Sequence, residues 1–200
     1  MRKIGITGGV GSGKSKVLEY LGSIAGVVVY QADFIARNLQ MPGQKCYEAI
    51  VAHFGRKILN EDQTIDRKRL SELVFRDKEE LQILNPLVHP AVNQRIEELI
   101  REEEKKGTNL FVLEAALLTE DVYRQMLDEI WYVYAEKSVR RERLRSSRNY
   151  TDEKITSMIN AQPSEERFRT FCDKMIDNTD DFEKTKKQID DLLQSSRKQE

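Results

Sequence analysis

The sequence predicts an α/β fold: a parallel five-stranded sheet flanked by helices in three layers, with an inserted helical lobe and a helical lid. Three observations lead there. Five short apolar runs do not alternate polar with apolar residues, as expected of parallel strands covered on both faces. Helical patterns separate these runs, so consecutive strands are joined by crossovers. A glycine-rich loop, Gly8-Gly9-Val10-Gly11-Ser12-Gly13-Lys14-Ser15, joins the first run to the first helix.

The first strand is the run holding Ile4 and Ile6, and the helix after the loop shows Val17, Leu18 and Leu21 on one face. Val27-Val28-Val29-Tyr30 is the second strand by its β-branched content. From Phe34 to Lys106 the pattern is helical almost throughout, which is too long for a simple crossover. Ala49, Ile50 and Phe54 share one face there, Leu70, Leu73 and Val74 another, and Leu81 and Leu84 a third; Val92, Ile96, Leu99 and Ile100 form a longer stripe. Pro90 is read as the start of that last helix, with His89 just outside it. Leu110-Phe111-Val112-Leu113, Ile130-Trp131-Tyr132-Val133-Tyr134 and Lys174-Met175-Ile176 are strands three to five. Between the last two lie a cluster of arginines, at 140, 141, 143, 145 and 148, and a helix capped by Thr151, with Ile155, Met158 and Ile159 on its apolar face. The tail is amphipathic through Phe182, Ile189, Leu192 and Leu193 and turns polar from Ser195. The expected division is a core of residues 1–33, 107–136 and 172–194, a helical substrate lobe of about 34–106 and a lid of about 137–171.

The loop fits G-x-x-x-x-G-K-S, the phosphate-binding pattern, in the strand–loop–helix context that pattern needs. Glycines at 8, 9, 11 and 13 let the backbone approach a phosphate closely. Successive N–H groups and a helix N-terminus then supply partial positive charge. Lys14 would reach the β- and γ-phosphates, and the Ser15 hydroxyl would ligate Mg²⁺. The motif points to a nucleoside triphosphate without saying which one, or what is done with it.

Composition narrows the classes. The 200 residues carry a formal net charge of −1, with 39% hydrophobic and 34% charged side chains. There is no global field to attract nucleic acid, and no apolar run spans a bilayer. No secretory signal is visible, and two cysteines, Cys46 and Cys172, are too few for a disulfide framework. The expectation is a cytoplasmic protein without membrane or nucleic-acid partners; oligomeric state stays open.

Several side chains then stand out. Asp33 follows the second strand, where a carboxylate facing the loop could accept a proton or orient Mg²⁺; the alternative is a helix N-cap. Glu114 ends the third strand, as a carboxylate near Mg²⁺ or as a plain strand-end acid. Arg141, Arg145 and Arg148 fall on one helical stripe, with Arg140 and Arg143 to its sides. With Glu142 the only acid among them, they suit a phosphate-clamping lid, against the alternative of a solvated face.

Taken in order, these residues resemble the dephospho-coenzyme A kinases over nearly the whole chain. The resemblance runs from Ile6-Thr7-Gly8-Gly9-Val10-Gly11-Ser12-Gly13-Lys14-Ser15 through Ala32-Asp33-Phe34-Ile35-Ala36-Arg37, Pro42-Gly43 and His53-Phe54-Gly55. It continues through Asp66-Arg67-Lys68-Arg69-Leu70, Leu87-Val88-His89-Pro90, Leu117-Leu118-Thr119-Glu120, Ala161-Gln162 and Ile176-Asp177-Asn178. It implies a P-loop kinase fold like that of adenylate kinase, and transfer of the ATP γ-phosphate to the ribose 3′-hydroxyl of dephospho-coenzyme A with Mg²⁺. Carried over by position, Lys14, Asp33, Arg141 and Arg145 are catalytic candidates. Gly8, Gly11, Ser12, Gly13, Lys14, Ser15, Lys16 and Asn178 would bind ATP; Asp33, Arg37 and His89 the acceptor; Ser15, with Glu114 behind it, the metal. Gln31, Lys16, the stretch Glu114-Ala115-Ala116 and the five-residue step from Arg143 to Arg148 depart from the family pattern. A kinase with another small acceptor, and a nucleotide-binding module without transfer, are the competing readings.

Overall fold

The computed structural model describes residues 1–116, 118 and 121–195. The strands are β1 (Arg2–Thr7), β2 (Val27–Gln31), β3 (Leu110–Glu114), β4 (Glu129–Tyr134) and β5 (Lys174–Asp177). They lie in the order β2-β3-β1-β4-β5 as a five-stranded parallel sheet, flanked by helices. Residue Ile6 of β1 is in register with Glu114 on one side and Trp131 on the other. The three inner strands are buried along most of their length, whereas the edge strands β2 and β5 are only partly covered, as their places in the order require.

The chain divides into two units: Met1–Val29 with the chain from Gly107 onward, and Tyr30–Lys106. In the first unit, α1 (Lys14–Gly22) and α10 (Phe182–Ser195) cover one face of the sheet. Val17, Leu18, Leu21 and Ile189 pack there on Ile4, Ile6, Val112, Trp131, Val133 and Ile176. On the other face, the space beside Gly5 is filled by Leu118, Leu127 and Ile130, and Tyr132 stacks on Phe168 of α9 (Glu165–Phe171) at 4.9 Å. A short α6 (Asp121–Met126) precedes β4. The segment between β4 and β5 forms α7 (Lys137–Arg148), α8 (Asp152–Asn160) and α9. Asn149 ends α7 in the left-handed conformation, and the Thr151 hydroxyl caps α8 by accepting from the Lys154 N–H. Residues 117, 119 and 120 of the Leu117–Glu120 stretch and the polar tail beyond 195 lie outside the described residues.

In the second unit, α2 (Ala32–Leu39), α3 (Lys45–Phe54) and α4 (Arg67–Arg76) each pack on α5 (Lys78–Lys105). Their buried residues recur at helical spacing: Ile35 and Leu39, Cys46, Ile50 and Phe54, Leu70 and Val74. Val88, Val92 and Ile96 form the buried stripe of α5. Asp66 caps α4 and Asp77 caps α5, each carboxylate accepting from N–H groups of the turn that follows.

One sequence expectation fails here. Pro90 does not begin a helix; α5 runs through both Pro86 and Pro90, and His89 lies inside it. Each proline removes one intrahelical bond, from the carbonyls of Gln82 and Pro86. The two are one turn apart and both exposed, so water can solvate the carbonyls they free. The same helix leaves Leu81 exposed rather than in a core face.

Candidate active site

The loop lies where β1 ends. The Thr7 hydroxyl donates to the Ala116 carbonyl at 3.1 Å, which ties the end of β1 to the segment after β3. Gly8 and Gly11 carry positive φ, and Gly13 caps α1 in the left-handed conformation at φ 89°. With no side chain at the cap, the N–H groups and partial positive charge of the first turn stay directed at the loop. Lys14 Nζ lies over the same loop and donates to the carbonyls of Gly8 at 2.8 Å and Gly9 at 3.4 Å. The Ser15 hydroxyl is exposed and has no hydrogen bond with the described residues. Lys16, also exposed, leans over the Phe182 ring at 5.8 Å.

Behind the loop stands Asn178, 2% exposed. Its Nδ2 donates to the Ser12 carbonyl at 2.7 Å, and its Oδ1 accepts from the Thr185 hydroxyl at 3.0 Å. A Cβ on Gly13 would fall on that Nδ2, well inside van der Waals contact. Arg143 completes this wall: Nη2 donates to the Asn178 carbonyl at 2.8 Å and Nη1 to the Ser12 carbonyl at 3.4 Å. The side chain of Asn178, an ATP-binding candidate by the resemblance, braces the loop, and Arg143 donates to its carbonyl. The Ser12 hydroxyl is buried without a hydrogen-bond partner among the described residues.

Arg140 lies across the front. Its Nε donates to the Val10 carbonyl at 2.8 Å and its Nη2 to Gln162 Oε1 at 3.0 Å. Gln162, in the turn after α8, also accepts from the Val10 N–H at 2.9 Å. The guanidinium occupies the space a Cβ on Gly9 would need. Burial, opposed by Tyr132, Glu165 and Tyr134, holds Arg140 below the usual guanidinium range. It stays charged all the same.

The arginines therefore sort differently from the sequence reading. Arg141 donates to Thr156 Oγ1 at 2.9 Å and to Asp152 at 3.1 Å, and Arg145 pairs with the same Asp152 at 2.7 Å and with Glu142 at 3.0 Å. Arg148 is exposed at the end of α7. The stripe is real, but it faces α8 and solvent. The two arginines at its sides reach the loop, and each of them meets only neutral acceptors among the described residues. A half-buried cation without a carboxylate partner is electrostatically incomplete. Arg140 and Arg143 have that character, whereas Arg141 and Arg145 do not.

Glu114 ends β3, half-buried, beside Ile6 of β1. In the second unit, α2 starts at Ala32 with Gln31 at its cap, so Asp33 is not an N-cap; that alternative falls away. Asp33 is exposed in the first turn and makes no hydrogen bond or ion pair with the described residues. One helical turn on, Arg37 lies 5.5 Å from the Phe34 ring, and its carbonyl accepts from Arg67 at 3.4 Å. Desolvation, then the like charge of Arg37, holds Arg67 below its usual range. His89 is exposed on α5. Arg67 and Gln162 carry no signal as site residues in the sequence beyond their places in the family resemblance, and nothing in helical periodicity favours Arg140 or Arg143.

Comparison with known proteins agrees with this architecture. The protein-family model described as dephospho-CoA kinase matches residues 2–184. A dephospho-CoA kinase of Carboxydothermus hydrogenoformans is 38% identical over 96% of this chain and 92% of its own. Among solved structures, a Thermus thermophilus protein superposes with a TM-score of 0.80 at 29% identity, covering 97% of each chain. A dephospho-CoA kinase of Campylobacter jejuni, 24% identical, shares the fold with a TM-score of 0.65 over 97% of this chain and 96% of its own.

Proposed function

Since this chain belongs to the dephospho-CoA kinase family and converts dephospho-CoA to CoA with ATP, we propose that the loop from Gly8 to Lys16 binds the triphosphate while Lys14, Arg140 and Arg143 neutralise the group in transfer. Phosphoryl transfer asks little covalent chemistry of a protein; it asks for alignment, charge neutralisation and exclusion of water. The observation that carries the assignment is the pair of half-buried guanidiniums set on the loop with neutral acceptors only. A phosphate oxygen is the anion such groups lack, and charge-assisted bonds to it are stronger than those they make now.

Asp33 is the proposed base for the ribose 3′-hydroxyl. Its carboxylate is exposed and has no partner among the described residues, so it is available to accept a proton. Arg37 and Arg67, adjacent cations in the same unit, suit the anionic groups of the acceptor. The exposed Ser15 hydroxyl and the Glu114 carboxylate are hard oxygen donors, and so fit Mg²⁺. Ser15 would hold the ion with Glu114 behind it, leaving its other positions to phosphate and water, the usual arrangement for this ion. When bound, Mg²⁺ would offset charge on the β- and γ-phosphates.

The test is a coupled assay for ADP with Mg-ATP and dephospho-CoA, with CoA identified by mass. Lys14→Ala is expected to remove most turnover. Asp33→Asn is expected to lower kcat by about 10²-fold or more, the scale of a general base, with ATP affinity within about threefold of wild type on the scale of a minor contact. An unchanged kcat for Asp33→Asn would remove it from the chemistry.

A further inference from the structure

We infer that Gln162 is the positioning residue of the transfer, setting the lid arginine through a ring of hydrogen bonds closed on one residue of the loop. The ring runs from the Val10 N–H to Gln162 Oε1 at 2.9 Å, from Oε1 to Arg140 Nη2 at 3.0 Å, and from Arg140 Nε back to the Val10 carbonyl at 2.8 Å. Two neighbouring elements, α7 and the turn after α8, thus meet on a single loop residue 130 and 152 positions earlier in the chain. The inference rests on the proposed nucleotide site and adds to it the residue that sets its arginine.

The amide orientation follows from the chemistry of the donors. A backbone N–H and a guanidinium N–H can only donate, so both must face the carbonyl oxygen of Gln162. Rotating the amide would oppose donors to donors. With Nε and one Nη hydrogen engaged, the plane of the Arg140 guanidinium is fixed against Gly9. Its remaining N–H groups are left to a phosphate oxygen. The acceptor is also neutral. A carboxylate here would cancel the charge that the transfer uses, whereas an amide orients the cation without neutralising it. An alanine would free the guanidinium to turn about its side chain and would release the Val10 N–H.

The experiment is a double-mutant cycle on the full chain, with Gln162→Ala in wild-type and Arg140→Ala backgrounds and with kcat and ATP affinity measured separately. Gln162→Glu is the companion variant, because it keeps the acceptor geometry and should fold where alanine does not. A positioning role through Arg140 predicts that Gln162→Ala lowers kcat by about tenfold or more, the effect of losing one bond to a charged group. ATP affinity should stay within about threefold, as expected of a group that acts in the transition state. In the Arg140→Ala background the same substitution should change kcat by less than about twofold, since there is no guanidinium left to orient. Gln162→Glu should also lower kcat, through charge quenching. Equal losses in both backgrounds would overturn the inference and make Gln162 a strut for Val10 alone. So would an unchanged kcat in both variants, or a loss confined to ATP affinity. If Lys14→Ala leaves both turnover and ATP binding intact, the nucleotide site itself is misassigned, a failure separable from that of Gln162.

Discussion

Gly13→Ala should destabilise the protein chiefly through Asn178 rather than through its own backbone. Gly13 sits at φ 89°, where an L side chain costs about 1 kcal/mol or somewhat more. The added Cβ would also fall on Asn178 Nδ2, and that side chain has little freedom to yield. It is 2% exposed and held at both ends, by the Ser12 carbonyl at 2.7 Å and the Thr185 hydroxyl at 3.0 Å. Displacing it forfeits two neutral bonds at about 1 kcal/mol each. The total is about 3 kcal/mol in the wild-type background, but only the backbone share, about 1 kcal/mol, once Asn178 is alanine. With a urea m-value of about 2 kcal/mol per molar, the two backgrounds should differ by about 1 M in the midpoint shift that Gly13→Ala causes. The chain has one tryptophan, Trp131, on β4 in the unit that holds the loop, so its fluorescence reports on the relevant unfolding. If Gly13→Ala shifts the midpoint equally in both backgrounds, the backbone alone demands glycine and the Asn178 argument is wrong.

Two other outcomes test the site from different directions. Arg140→Ala and Arg143→Ala should each lower kcat by about 10²-fold, the scale of a lost transition-state donor. Arg141→Ala and Arg145→Ala should each change it by less than about threefold, because their partners are Asp152, Glu142 and Thr156 in exposed pairs of small worth; steady-state kinetics of the four variants decide this. The second outcome concerns pH. Burial first, and Glu165 next, push the Tyr132 phenol up to about 12 from an ordinary 10.0. The unfolded chain loses this proton at about pH 10 and the folded one only near 12, so stability is undiminished below 10 and falls between those values. The slope is at most about 1.4 kcal/mol per pH unit. Thermal unfolding of wild type and Tyr132→Phe from pH 9 to 11.5 should show a steeper decline for wild type, and parallel curves would refute the shift.

Much of the fold was legible because its signals are local. Non-alternating β-branched runs name the buried strands, and 3.6-residue spacing names the helices of both units. Thr151 caps α8 as its residue type suggests. Pro90 misled because a proline is informative only when the carbonyl it frees has no other partner. Pro86 and Pro90 stand one above the other on an exposed face of α5, where water serves. Ser164 begins α9 with Glu165 and Glu166 in the first turn, the same kind of signal as Thr151, yet that helix is too short to have an apolar stripe.

The lid arginines show where such reading stops. Helical spacing says that Arg141, Arg145 and Arg148 share a stripe and that Arg140 and Arg143 flank it. It does not say which side of α7 meets the loop, because that depends on what the rest of the fold brings opposite. Asp152 and Thr156 lie opposite the stripe, since Asn149 turns the chain back and sets α8 against α7. Once the carboxylate of Asp152 is shared between them, Arg141 and Arg145 have little left for a phosphate. The flanking pair meets Val10, Ser12, Gln162 and Asn178, all neutral acceptors from the loop, the α8 turn and the end of β5. The distribution of the few acids, more than that of the arginines, decides which guanidiniums remain uncompensated. A survey of P-loop sequences for catalytic arginines should therefore weigh each one against the carboxylates within reach of its helix face.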